Sequence, residues 1–119
     1  MENYKDAQYA IANMYFKGIG VDVDYEKALY YFKSSKTEYA CFYVGYIYEK
    51  GLGVEQDYKT AIKWYEKSAQ MNNSNTAYNL GVMYKMGQGT EVDFEKAISW
   101  YEKAAQKNNE NAICNLAMM

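Results

Sequence analysis

The sequence has no histidine and no proline, and it has only two cysteines among 119 residues. The absence of histidine removes the side chain that most often serves as a general base or as a metal ligand. An excess of one charge is also missing, because thirteen basic and fifteen acidic residues leave a net charge of −2. A chain with this balance is not expected to bind nucleic acid or an anionic membrane.

Long hydrophobic runs are absent as well. No apolar stretch approaches the roughly 18 residues that a membrane-spanning helix needs. The first residues, Met1 to Asp6, lack the basic region followed by an apolar stretch that marks a secretory signal. We therefore expect an intracellular, cytoplasmic protein with neither a signal peptide nor a transmembrane segment.

The chain instead contains an internal repeat. A Gly-x-Gly motif occurs three times, as Gly18-Ile19-Gly20, Gly51-Leu52-Gly53 and Gly87-Gln88-Gly89. An aspartate and an aromatic-rich segment follow each motif, and these aspartates are Asp24, Asp57 and Asp93. Asp57 and Asp93 are 36 positions apart, whereas Asp24 and Asp57 are 33 apart. A period of this size is typical of solenoids built from pairs of helices.

Each repeat is predicted to form two helices. Val44 and Tyr48 are four residues apart, so they share one helix face. Gly45 and Gly81 are placed where a neighbouring helix must come close. Gly51 and Gly87 should end helices in the left-handed conformation, and the recurring aspartates should cap the helices that follow. The pattern predicts an all-α fold with helices near residues 4–17, 24–35, 38–50, 57–71, 75–86, 93–107 and 110–119.

The combined spacing resembles the Sel-one-like repeat, a relative of the tetratricopeptide repeat. The second unit carries the motif at Ala40, Val44, Gly45, Tyr48, Gly51, Gly53, Val54, Asp57, Ala61, Trp64, Tyr65, Lys67, Ser68 and Ala69. The third carries it at Thr76, Leu80, Gly81, Tyr84, Gly87, Gly89, Asp93, Lys96, Ala97, Trp100, Tyr101, Lys103, Ala104 and Ala105. The resemblance implies one domain over 1–119, a right-handed α-solenoid of antiparallel helix pairs. It would contain about three and a half repeats, near 4–36, 37–72, 73–108 and, in part, 109–119.

The resemblance also implies a place for a partner, because the first helices of tetratricopeptide-like stacks line the concave face. Positions two before, two after and five after the repeated Leu position should face this groove. The predicted groove residues are Tyr9, Asn13, Phe16, Phe42, Tyr46, Glu49, Tyr78, Val82 and Lys85, with Met86 beside them and Cys114 and Met118 extending the line. This strip is aromatic and poor in charge, which suits a peptide or helix of a partner protein. Each residue has the alternative of packing against the next repeat.

Members of this family act as adaptors in assembling complexes, so we expect a non-enzymatic protein-protein interaction scaffold without a metal or cofactor. An alternative is self-association through the fourth, incomplete unit, where Leu116, Met118 and Met119 border an open apolar face. A hydrolase is the third possibility, because some relatives have been discussed as penicillin-binding. That chemistry needs a serine followed three residues later by a lysine, and no serine here has one.

Two other signals are interpreted as structural. The Gly-x-Gly motifs each follow a helix rather than a strand, so they are predicted to be turns and not phosphate-binding loops. Cys41 and Cys114 lie two repeats apart, roughly 20 Å or more if helices pack at their usual spacing. A disulfide needs Cα atoms within about 7 Å, so we expect both to be free thiols.

Overall fold

The computed structural model of the protein describes the backbone of residues 2–118 and the side chains of residues 4–118. This range forms seven helices and no strand: α1 Glu2–Lys17, α2 Tyr25–Ser35, α3 Glu38–Lys50, α4 Tyr58–Gln70, α5 Ser74–Met86, α6 Phe94–Ala105 and α7 Glu110–Met118. The helices α1 and α2, α3 and α4, and α5 and α6 pack as pairs. The all-α solenoid is confirmed, and the helix ends fall within two residues of the predicted ones. Met119, which was predicted to border the open face, lies outside the described residues.

The helix ends are formed by the residues that the repeat places there. The carboxylate of Asp57 accepts a hydrogen bond from the Thr60 backbone N–H at 3.1 Å, and Asp24 and Asp93 cap α2 and α6 in the same way. Gly51 and Gly87 end α3 and α5 with φ of 67° and 71°, the left-handed region that glycine enters without strain. The capping predictions are confirmed.

Glycine allows the two helices of a pair to touch. A Cβ atom added to Gly45 would lie 2.6 Å from Cδ1 of Tyr65, and one added to Gly81 would lie 2.5 Å from Cε1 of Tyr101. Both rings are fully buried. A side chain on either glycine would therefore force the helices apart, which confirms the close approach predicted for these positions.

The core consists of two clusters that follow the repeat. The first includes Ala28, Phe32, Ala40, Val44 and Ile47, and so joins the first repeat to α3. The second, which joins α4 to α7, includes Ala61, Tyr65, Leu80, Met83, Ala97, Tyr101, Ala104 and Ala112. The first repeat is shorter than the second because α2 has 11 residues against 13 in α4, and because the turn after it is also one residue shorter.

The Gly-x-Gly turns of the second and third repeats each contact the repeat before them. A Cβ added to Gly53 would lie 2.9 Å from Cβ of Tyr25, and one added to Gly89 would collide with Tyr58. Tyr25 and Tyr58 begin α2 and α4. The equivalent residue of the third repeat, Phe94, is 56% exposed. The second glycine of a turn is thus a contact point between repeats as well as a bend.

Candidate functional site

A cleft of about 330 Å³ opens between the first helices of the second and third repeats, α3 and α5. We call it the α3–α5 cleft, and it is lined by Phe42, Tyr46, Glu49, Lys50, Tyr78, Asn79, Val82, Met83 and Gln88. The helix spacing explains its composition. Phe42, Tyr46 and Glu49 lie three or four residues apart on one face of α3, and Tyr78 and Val82 lie four apart on the facing side of α5.

A second hollow of about 190 Å³ adjoins the cleft towards the N-terminal ends of the same helices. Its lining is Tyr39, Phe42, Tyr43, Asn73 and Asn75, so that Phe42 borders both spaces. Asn73 has a structural role, because its side-chain oxygen accepts a 3.1 Å hydrogen bond from the Thr76 backbone N–H and so caps α5. The two hollows thus meet at Phe42, and we call them together the depression along α3.

The single acid of the cleft is held by its neighbours. The Tyr65 hydroxyl donates a 2.6 Å hydrogen bond to Oε1 of Glu49, and the Lys50 ammonium lies 3.7 Å from Oε2. Burial together with this carboxylate raises the pKa of the Tyr65 hydroxyl far above its usual value. Lys50 Nζ also lies 5.9 Å from the centre of the Tyr46 ring. The cleft therefore has an apolar floor and almost no uncompensated charge.

The three groove residues predicted in the first repeat lie elsewhere. Tyr9 packs against Phe32 and Tyr43, with ring centroids 5.8 Å and 6.2 Å away. Phe16 lies 5.2 Å from the Tyr43 ring and 6.1 Å from Phe32. Asn13 has a buried side-chain oxygen that finds no hydrogen-bond partner among the described residues. The rings of Tyr9 and Phe16 thus fill the junction between the first and second repeats, and the part of all three residues in binding stays a prediction.

The remaining predicted residues divide between two places. Phe42, Tyr46, Glu49, Tyr78 and Val82 come together in the α3–α5 cleft. Lys85 lines a separate hollow of about 330 Å³, together with Phe94, Ile98 and Met118. Met86, the last residue of α5, is 63% exposed and lines neither space. The structure thus brings five of the ten predicted residues into one site.

Sequence reasoning missed several residues of the depression. Tyr39, Tyr43 and Lys50 lie on the same face of α3 as Tyr46, at spacings of seven, three and four residues. Extending the predicted strip along the helix would have found them. The sequence did not indicate Asn79 or Gln88 as lining residues. Asn79 directly follows the predicted groove residue Tyr78, and Gln88 lies in a Gly-x-Gly turn.

The two cysteines are free thiols, one buried and one exposed. Cys41 lies in the core side of α3, and burial raises the pKa of its thiol. Cys114 is exposed on α7. Neither contributes to the lining of the cleft.

Comparison with known proteins identifies the repeat. The family model of the Sel1 repeat matches residues 5–36, 38–73 and 74–109. The chain belongs to the Sel1 repeat family. Proteins of this family are generally protein-interaction scaffolds and typically lack enzymatic activity. No curated protein matches the chain.

Solved structures share the fold along almost the whole chain. A Sel1 repeat protein from Oxalobacter formigenes is 30% identical, with a TM-score of 0.91 over 96% of this chain and 48% of that one. The protective antigen c5321 of uropathogenic Escherichia coli, which displays an SLR fold, is 38% identical, with a TM-score of 0.86 over 94% of this chain and 25% of that one. Helicobacter pylori cysteine rich protein B is 22% identical, with a TM-score of 0.76 over 96% of this chain and 90% of that one.

The chain spans about half the length of the Oxalobacter protein and a quarter of the Escherichia protein. Their similarity therefore shows the repeat family, and the similarity to the Helicobacter protein shows the fold. No helix within the described residues is both long and apolar enough to cross a membrane.

Proposed function

We propose that this Sel1 repeat protein is a scaffold that holds a segment of a partner protein in the α3–α5 cleft. One observation carries the proposal: the cleft gathers Phe42, Tyr46, Tyr78 and Val82 at a surface that the fold itself leaves open. Tyrosine binds a partner over a large area at a small cost in side-chain entropy. Buried aromatic anchors of this kind supply most of the binding free energy in protein interfaces.

A matched pair of double variants tests the proposal in a pull-down from the source organism. The cleft variant is Tyr46→Ala with Val82→Ala. The control variant is Tyr30→Ala with Val92→Ala, which removes the same two side-chain types from exposed positions outside the cleft. Both variants should keep the helical circular dichroism of the parent.

The expected result is a partner that the parent and the control variant retain and the cleft variant loses. Truncating a buried tyrosine anchor weakens a typical interface by about tenfold or more. Cross-links from the partner should map to α3 and α5. Equal recovery by the two variants would exclude the cleft as the binding site.

A second candidate function is self-association, and the exposure of Phe94 favours it. Tyr25 and Tyr58 are covered by the glycine turns of later repeats, whereas Phe94 is 56% exposed next to Met118, which is 84% exposed. At the other end of the chain, a Cβ added to Gly20 would meet nothing within 4 Å. A second copy that contacts Phe94, Ile98 and Met118 would bury this apolar surface.

Sedimentation equilibrium tests self-association with Phe94→Ser against Tyr30→Ser, since both replace an exposed aromatic side chain. A dimer that Phe94→Ser abolishes and Tyr30→Ser preserves would support the second function. A parent protein that stays monomeric across the accessible concentration range would rule it out.

A further inference from the structure

One side of α1 is apolar and exposed along its length. Ile11 is 37% exposed, Met14 is 41% exposed, and Tyr4 is 62% exposed. Ala7 and Ala10 are exposed on the same helix. Tyr4, Ala7, Ile11 and Met14 follow one another at spacings of three, four and three residues, so they lie on one side of the helix, and Ala10 borders them. We call these five residues the α1 outer face.

The later repeats use the same positions as a contact surface for a helix. Three positions of the face, those of Ala7, Ile11 and Met14, recur in α3 and α5. Their equivalents there are Ala40, Val44, Ile47, Thr76, Leu80 and Met83. All six are at most 2% exposed, because α2 packs on those of α3 and α4 packs on those of α5. The α1 outer face therefore has the positions that receive a helix, and no helix within residues 2–118 covers them.

The apolar surface continues into the turn that follows α1. Ile19 is 53% exposed and Val21 is 39% exposed. The equivalent residues of the second repeat, Leu52 and Val54, are half-buried because they pack against the core cluster of the first repeat. The exposed surface is thus wider than one helix, as an interface between folded proteins requires.

The α1 outer face is graded in size, which makes it complementary to a copy of itself. Its N-terminal part presents Ala7 and Ala10, and its C-terminal part presents Ile11 and Met14. In an antiparallel pair of helices, the alanines of one copy lie opposite the isoleucine and methionine of the other. The large side chains then fill the space that the small ones leave, and the same contact forms twice about a two-fold axis.

The ends of the face also favour an antiparallel pair over a parallel one. Parallel packing would bring the Lys17 ammonium groups of both copies together, and like charges repel. Antiparallel packing separates the two Lys17 residues by about 20 Å along the helix axis. It also brings the exposed Tyr4 ring of each copy towards Ile19 and Val21 of the other, so that all three lose contact with water.

We propose that a second copy of this chain docks on the α1 outer face and forms an antiparallel dimer, with its two-fold axis near Ala10 and Ile11. None of the five residues of the face lines the depression along α3 or the hollow at Phe94. The proposal is therefore independent of both functions proposed above. The dimer keeps the α3–α5 cleft of each copy open.

Sedimentation equilibrium compares the parent protein with Met14→Lys and with the control Met86→Lys. Both variants replace an exposed helical methionine by lysine, and Met86 lies at the end of α5, outside the face. We expect the parent to dimerise and Met86→Lys to dimerise equally well. Met14→Lys should weaken the dimer about a hundredfold or more, because the dimer would bury the unpaired lysine twice. Far-ultraviolet circular dichroism checks that both variants keep the helical content of the parent.

Oxidative cross-linking tests the arrangement without placing a charge in the interface. Ala10→Cys and Lys17→Cys are compared in a Cys114→Ser background, which removes the exposed thiol of the parent. A disulfide needs Cα atoms within about 7 Å, so Ala10→Cys should form a disulfide-linked dimer near the axis. Lys17→Cys should not, because its two copies are about 20 Å apart.

Three results would overturn the proposal. The first is a parent protein that stays monomeric across the accessible concentration range, including one whose Met14→Lys variant loses a different bound protein. The second is a dimer that Met14→Lys leaves intact, which would place the contact elsewhere on the chain. The third is a disulfide that forms as fast with Lys17→Cys as with Ala10→Cys, since only parallel packing would allow it.

Discussion

Tyr65 and Tyr101 occupy the same position in consecutive repeats, and both rings are fully buried against a glycine. Their hydroxyl groups differ. Tyr65 donates to Glu49 at 2.6 Å, whereas the Tyr101 hydroxyl is buried and finds no partner among the described residues. The Tyr101 hydroxyl lacks an acceptor because the third repeat has Lys85 at the position of Glu49, 36 residues later. A lysine side chain cannot accept a hydrogen bond.

The same substitution, tyrosine to phenylalanine, should therefore have opposite effects on stability. Tyr65→Phe removes a hydrogen bond to a carboxylate, which is worth about 1.5–3 kcal/mol. The Glu49 side chain is 21% exposed and regains part of this loss from water. We expect a net loss of about 1–2 kcal/mol, or ~4–8 °C in melting temperature. Tyr101→Phe removes a buried hydroxyl that has no partner, so stability should stay unchanged or rise by up to about 1 kcal/mol.

Urea unfolding followed by far-ultraviolet circular dichroism measures both variants against the parent. A third variant, Lys85→Glu, supplies the missing acceptor and should stabilise the parent but not Tyr101→Phe. Equal destabilisation by Tyr65→Phe and Tyr101→Phe would refute the reasoning, because it would mean that both hydroxyl groups are equally well paired.

Three further predictions concern packing and reactivity. Gly45→Ala should destabilise the protein by about 1–2 kcal/mol in urea unfolding, since overlap with the Tyr65 ring exceeds the gain in helix propensity. Gly20→Ala should lower the free energy of unfolding by about 1 kcal/mol, through left-handed strain alone. Gly53→Ala should lower it more, because its methyl group also meets Tyr25. Similar losses from the two variants would contradict the contact between repeats. One thiol should react rapidly with Ellman's reagent, and Cys114→Ser should abolish that phase, because Cys41 is buried and its pKa is raised.

The fold was predictable because its determinants are local and recur. Asp57 and Gly51 act on the ends of their own helices, and Gly45 acts on the next helix along the chain. The capping aspartate and the Gly-x-Gly turn occur in three copies and the helix glycine in two, which explains why helix positions agree within two residues. The pairing of helices follows from short turns that leave few alternatives.

The site was less predictable because it depends on how particular side chains fill the junction between repeats. Tyr9, Phe42 and Tyr78 occupy the same position in consecutive repeats. In the structure, all three pack on the equivalent ring of their own repeat, with ring centroids 5.8 Å apart for Tyr9 and Phe32, 5.7 Å for Phe42 and Tyr65, and 5.7 Å for Tyr78 and Tyr101. Tyr9 is also covered by the Tyr39 and Tyr43 rings of α3. The equivalent residues of α5 are the smaller Asn75 and Asn79, so the space between Phe42 and α5 stays open as the cleft and its adjoining hollow.

The amides along α5 recur one repeat later on α7, where their hydrogen bonds differ. Asn111 and Asn115 are equivalent to Asn75 and Asn79. The Asn115 NH2 group donates to the Asn111 carbonyl at 2.8 Å and lies 3.4 Å from the Tyr78 hydroxyl, so it bonds within the chain itself. Tyr43 is the residue equivalent to Asn79 in the second repeat, and it places a ring where the third repeat has an amide. The smaller Asn79 side chain thus leaves open the space that Phe42, Tyr46 and Tyr78 border between α3 and α5.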